Sequence, residues 1–162
     1  MNAITRFSGE YEFLSNFYPS PIIHNGLLFK TVEHAFQAEK SVDEEIWKVF
    51  AYEVYTPGDA KRKGRLITMR PDWDEIKYDR MKLFVHKKFK LPPLRKFLLD
   101  TGDAHLEEGN NHGDTTWGTV NGKGRNWLGK ILMEVREEKR KEMEKKNAMI
   151  KNSRYLKGLR DE

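Results

Sequence analysis

The sequence predicts an α+β protein, a compact helix-rich single domain with short β-strands or hairpins. Three observations lead there. Apolar residues recur at helical spacing in several stretches, most clearly at Trp73, Ile76, Met81, Phe84 and Val85. The strand-like runs are short and bounded by turn formers, as at Ile22-Ile23 and Leu27-Leu28-Phe29 on either side of Asn25-Gly26. The length, 162 residues, allows one domain with a real core and would cramp two.

Taken in order, residues 13–30 alternate short apolar groups with Pro19, Pro21 and the Asn25-Gly26 pair, a strong hairpin signal. Thr31 can cap a helix running to about Lys40, with Val32, Ala35 and Phe36 as its apolar stripe. Glu33, Gln37 and Lys40 then share an adjoining polar face. A second helix spans Asp43 to Val54. A third begins at Thr56-Pro57, where Thr56 caps, Pro57 suits the first helical position and Asp59 completes a capping box. Asp72, with Glu75 three residues on, starts the clearest helix, which uses the stems of Arg80 and Lys88 at its margin.

Pro92-Pro93 ends that run and opens a short helix through Leu99 that Gly102 can close. The sixteen residues from Asp103 to Gly118 carry four acidic groups, two histidines and three glycines with no period. A polar connection of that length inside one domain points to a binding loop or a mobile segment. The last helix starts near Asn126, which caps it, turns Leu128, Ile131, Leu132 and Val135 inward, and continues as a charged run to about Met149.

Composition narrows the function classes. Hydrophobic residues make up 38% and charged residues 34% of the chain, but 12% aromatics mark a folded core rather than a disordered polymer. There is no cysteine, which rules out disulfides, thiolate metal sites and cysteine nucleophiles and fits a cytoplasmic protein. No stretch approaches the ~18–20 apolar residues of a membrane span, and residues 1–10 lack the pattern of a secretory signal, so no membrane partner is expected. Of the net charge of +5, residues from Glu134 onward carry +3, ten Lys or Arg against seven Asp or Glu. The preceding 133 residues carry only +2. Most of the excess is therefore a tail property, a solvated helix face or a basic patch for an anionic partner.

The residues that can do chemistry cluster in residues 12–40 and 105–127. Breaking a glycosidic bond builds positive charge on the sugar carbon, so it needs a nearby carboxylate and a way to stabilise the leaving group. Glu33 and Asp114 are the leading carboxylates. Lys40 lies about 10 Å along the helix from Glu33, a separation that suits two ends of one ligand. It can hold phosphate or, if burial lowers its pKa, attack an opened sugar as a Schiff-base amine. Trp117, beside a glycine-rich segment, can stack on a base. The five histidines form no zinc spacing, and no metal site is expected; His34 reads as a polar residue supporting the site from behind or as boundary packing.

Five motifs, in this order, resemble the YbiA-like, or NADAR, family: Phe13-Leu14-Ser15-Asn16-Phe17-Tyr18, the run from Thr31 to Lys40 reading Thr-Val-Glu-His-Ala-Phe-Gln-Ala-Glu-Lys, Asp114-Thr115-Thr116-Trp117-Gly118, Gly124-Arg125-Asn126-Trp127-Leu128-Gly129, and Leu132-Met133-Glu134-Val135-Arg136. The resemblance covers roughly residues 7–136. It implies a YbiA-like catalytic domain over residues 1–140, followed by a charged helical tail over residues 141–162. It also implies N-glycoside hydrolysis on a phosphorylated ribose or ADP-ribose derivative, either a riboflavin-pathway intermediate or ADP-ribosylated guanine, free or in nucleic acid.

By the same resemblance Glu33 is the acid/base or oxocarbenium-stabilising group, Lys40 the Schiff-base or phosphate-contact lysine, and Asp114 the second catalytic or ribose-binding carboxylate. Ser15, Asn16, Gln37, Trp117 and Asn126 orient the ligand. No cofactor or obligatory metal is implied, and the oligomeric state stays open. The alternative is a non-catalytic nucleotide or ADP-ribose binding module.

Overall fold

Asn25 and Gly26 adopt φ of 51° and 75°, the left-handed pair that a two-residue hairpin turn requires and that Asn-Gly adopts at least cost. The computed structural model, which describes residues 2–161, accordingly closes a hairpin between β2 (Ile22–His24) and β3 (Leu27–Phe29), with Ile22 opposite Phe29. Ile22 and Phe29 turn into the core while Ile23 and Leu28 stay exposed.

Next comes α1 (Val32–Ala38), every residue of which is buried. Thr31 caps it as the sequence predicts, its side chain accepting from the His34 N–H at 3.2 Å. His34 Nε2 lies 3.1 Å from the Val54 carbonyl and Nδ1 2.8 Å from Thr31 Oγ1. A carbonyl only accepts, so Nε2 carries a proton. Burial rather than this bond favours the neutral ring, pushing its pKa down. Here His34 is a buried tie between elements, more central than boundary packing.

Around α1 pack α2 (Glu44–Tyr52), α3 (Pro57–Gly64) and α4 (Trp73–Lys88). Asp43 and Thr56 cap α2 and α3, accepting from the Glu45 and Asp59 N–H groups at 2.9 and 3.1 Å. The capping box predicted at Asp72 does not form. Arg70 engages both Asp72 oxygens, at 2.6 and 3.1 Å, and a bidentate charged bond outcompetes a backbone N–H for the carboxylate.

Two elements escape a reading of periodicity. Gly9–Leu14 forms a 3-10 helix, and within the polar stretch after α5 (Pro92–Asp100) lies β4 (His105–Leu106), paired in parallel with β1 (Ala3–Ile4). Two-residue strands carry no period, and this pair joins positions a hundred residues apart.

The chain ends in α6 (Trp127–Arg160), which packs on α4, α5 and β4 through Leu128, Ile131, Leu132 and Val135. It runs eleven residues beyond the predicted end at Met149, without a break at Arg140–Lys141. No proline follows Met149, and Lys157 and Arg160 sit favourably at the C-terminal dipole. Among the described residues no helix is long and apolar enough to cross a membrane.

Candidate active site

Glu33 sits in the first turn of α1, and its own N–H donates to the Asn16 carbonyl at 3.2 Å. One turn on, Gln37 Nε2 donates to Glu33 Oε1 at 2.7 Å, the contact that a four-residue spacing brings about on a helix. The residue is 7% exposed. Burial raises its pKa; the Gln37 bond, Lys61 and Lys40 work against that rise, and Asp114 adds to it. Gln37 is in turn held by the end of α3: a Cβ on Gly64 would collide with the Gln37 amide. Only glycine permits that approach.

Lys40 lies just past the end of α1 and is half-buried, its nearest acceptor the Gly64 carbonyl at 3.5 Å. Burial lowers its pKa; Arg65, Lys77 and Lys61 add to the fall while Glu33 resists it. Lys61 and Arg65 come from the end of α3 and Lys77 from α4, so four cations converge on one rim.

Asp114 closes a turn with its own side chain, Oδ1 accepting from Thr116 N–H at 3.0 Å and Trp117 N–H at 2.9 Å. Asn110 grips the Asp114 backbone on both sides, donating to its carbonyl at 2.8 Å and accepting from its N–H at 3.1 Å. Trp117 stands edge-on between Phe36 and Trp127, with ring centroids 5.2 and 5.5 Å away. It is thus locked by aromatic neighbours and still faces the cavity.

These groups surround one cavity of about 370 Å³, within the size range of small-ligand sites. Of the eight residues predicted, Ser15, Asn16, Glu33, Gln37, Lys40, Asp114 and Trp117 line it. Asn126 does not. It occupies the N-cap position of α6 with φ 51° and makes no side-chain cap bond. Its amide reaches back instead, donating to the Leu106 carbonyl at 2.9 Å and accepting from the Glu108 N–H at 3.0 Å. The predicted cap gives way to this bridge, which pairs two backbone groups at the end of β4 with the two ends of one amide.

The bridge holds Glu108, which the sequence reading passed over. Glu108 lines the cavity with Glu33 and Asp114. Loss of water, with Asp114 and Glu33 as like-charged neighbours and Lys61 as partial relief, pushes its pKa up to about 8. Gly118 and Gly129 allow the packing: a Cβ on the first would strike the Glu108 carbonyl, and on the second the Leu106 carbonyl. Gly118 and Gly129 thus serve close backbone packing around Leu106 and Glu108. The signal that could have found Glu108 was its place in the long aperiodic segment before Asp114. Lys61 and Arg65 were signalled only by their four-residue spacing near a helix end. Among the described residues no group of three or more His, Asp or Glu is arranged to hold a metal ion.

Known proteins resemble this chain over most of its length. The model of the NADAR domain matches residues 5–140. The chain is 40% identical over 133 residues to riboflavin biosynthesis protein VVA0006 of Vibrio vulnificus, covering 78% of this chain and 35% of that one. It therefore spans about a third of that longer relative. It is 38% identical over 135 residues to the N-glycosidase YbiA of Shigella flexneri, covering 81% of this chain and 83% of that one. The NMR structure of the E. coli protein YbiA superposes with a TM-score of 0.77 at 36% identity, over 88% of this chain and 89% of that one.

Proposed function

This chain belongs to the NADAR domain family, and as an N-glycosidase of that family we propose that it cleaves the bond between a phosphorylated ribose or ADP-ribose and the nitrogen of a base or base precursor. The observation that carries the proposal is the cavity itself: three carboxylates, Glu33, Glu108 and Asp114, share it with the cations Lys40, Lys61, Arg65 and Lys77. Acidic groups suit the positive charge that grows at the sugar carbon, and the cations suit phosphate.

The roles divide by environment. Glu108, with its pKa at about 8, is protonated at neutral pH. It donates that proton to the leaving nitrogen as the carbon–nitrogen bond breaks and the electron pair goes to nitrogen. Glu33, whose pKa burial raises against the pull of its Gln37 bond, Lys61 and Lys40, faces the developing oxocarbenium, whose positive charge favours the carboxylate form as it grows. Water adds to the sugar carbon, and Asp114 takes its proton. The products are the free base and the hydrolysed sugar. Lys61, Arg65 and Lys77 hold phosphate, while Trp117 and the exposed Phe17 ring offer faces to the base.

The lowered pKa of Lys40 favours a second route to the same products. A neutral amine there condenses with the opened sugar, displaces the base, and releases the sugar when water hydrolyses the imine. Borohydride added during turnover separates the routes: a reduced adduct on Lys40 marks the imine, and activity in K40R without any adduct marks direct hydrolysis.

The substrate field contains riboflavin-pathway ribosyl phosphates, which the name of the Vibrio relative favours, and ADP-ribosylated guanine. The test is a panel of phosphorylated riboflavin precursors, NAD, ADP-ribose, and ADP-ribosylated guanine as nucleoside, DNA and RNA, with released base and sugar read by chromatography. Base release from at least one modified or phosphorylated ribosyl substrate is expected. Tight stoichiometric binding without turnover across the panel would leave a binding module in its place.

A further inference from the structure

Lys88, near the end of α4, is 1% exposed. Among the described residues it has no carboxylate partner. Its Nζ donates to the Ser15 carbonyl at 2.7 Å and lies over the rings of Phe89 and Tyr18, 5.2 and 5.6 Å from their centroids. Burial of an amine among rings brings its pKa down to about 7.

Burying an amine without an ion-pair partner is destabilising, and an apolar side chain of similar length would fill the same space without that cost. What the amine gains is the one bond to Ser15. That bond falls on a segment with a second grip and a downstream consequence. Met81, two turns earlier on the same face of α4, accepts from Asn16 Nδ2 at 3.3 Å. The Asn16 carbonyl receives the Glu33 N–H at 3.2 Å, and the Ser15 hydroxyl receives the Phe17 N–H at 3.1 Å. Ser15, Asn16, Phe17 and Glu33 all line the cavity.

We propose that Lys88 is a positioning residue, its amine fixing the Ser15–Phe17 wall of the cavity and the backbone seat of Glu33 without touching the ligand. The inference rests on the reading of this cavity as the ribosyl site. An error of about 1 Å in the placement of such a wall is enough to cost up to roughly 100-fold in rate or affinity.

The experiment compares wild type with K88M, and with K88Q should K88M fail to fold. The amide exchange of Glu33 and Phe17 is expected to quicken at least about 10-fold in the variant, while the α5 and α6 amides keep their protection. On whichever substrate the wild type turns over, KM should rise about 10-fold with kcat within about 3-fold, since Glu33 keeps its Gln37 bond and Thr31-capped helix. The melting temperature should be equal or higher. Unchanged exchange at Glu33 and Phe17 overturns the inference, as does a folded variant with wild-type KM, a parallel collapse of melting temperature, KM and kcat, or failure of both variants to fold. A wild-type protein without turnover on any substrate sinks the functional reading, and the exchange measurement still decides the role of Lys88.

Discussion

Asn126 and Glu108 are joined by a 3.0 Å bond from the Glu108 N–H to Asn126 Oδ1, while the other end of the same amide donates to the Leu106 carbonyl. A residue at the start of α6 therefore sets the position of a cavity carboxyl eighteen residues earlier in the chain.

N126A should lose both bonds, leaving two buried backbone groups unpaired at a cost of about 1–3 kcal/mol each. Alanine also pays about 1 kcal/mol to hold the left-handed backbone that Asn126 adopts. The expected result is a clear drop in denaturant midpoint together with a fall of at least about 10-fold in kcat through Glu108. A folded N126A with wild-type kcat would show that Asn126 does not act through Glu108.

The pH dependence follows from Glu108. Its pKa in the folded protein, about 8, lies above the ordinary carboxyl value. The folded state therefore binds more protons, and this group's contribution to stability is full below the unfolded value and is lost as pH rises through about 8. A general acid must also be protonated to act, so kcat/KM should decline over the same upper range. E108Q should lower kcat at neutral pH and abolish the alkaline limb. Persistence of that limb in E108Q would assign it to another group.

Gly64 against Gln37 gives a second handle on Glu33. In G64A the new methyl displaces the Gln37 amide, so kcat/KM should fall at least about 10-fold. The fold survives because the displaced atoms end a flexible side chain. A crystal or NMR structure of G64A with the Gln37–Glu33 bond intact and full activity would contradict this.

How much of this was legible in the sequence depended on how local the physics is. The Asn25-Gly26 hairpin, the Thr31 and Thr56 caps and the polar face of α1 are decided within a few residues, and each formed as read. Seven of the eight residues named from motif and resemblance meet at one cavity. Glu108 was not singled out, and neither the cap at Asn126 nor the margin position of Lys88 formed, because their surroundings are tertiary. Glu108 depends on the pairing of β4 with β1, Asn126 on backbone groups at the end of β4, and Lys88, read as a stem at a helix margin, on a carbonyl 73 residues distant.

The tail offers a separable prediction. Arg140 still ties α6 to the Gly102 carbonyl at 2.9 Å, and residues 141–160 beyond it are all exposed. Deletion after Arg140 should leave kcat/KM on small substrates within about 3-fold and the melting temperature within a few degrees, as surface changes do. Loss of all small-substrate turnover in a folded truncation would place the tail in the site's support.

The central claim is hydrolysis of an N-glycosidic bond at the Glu33 cavity, and the most direct measurement is chromatographic release of base and sugar by wild type and E33A across the ribosyl panel. Wild type should turn over at least one phosphorylated or ADP-ribosyl substrate, and folded E33A should lose about 100-fold or more of that kcat. Wild-type turnover by a verified folded E33A, or base release only from unmodified DNA or RNA, would contradict the account.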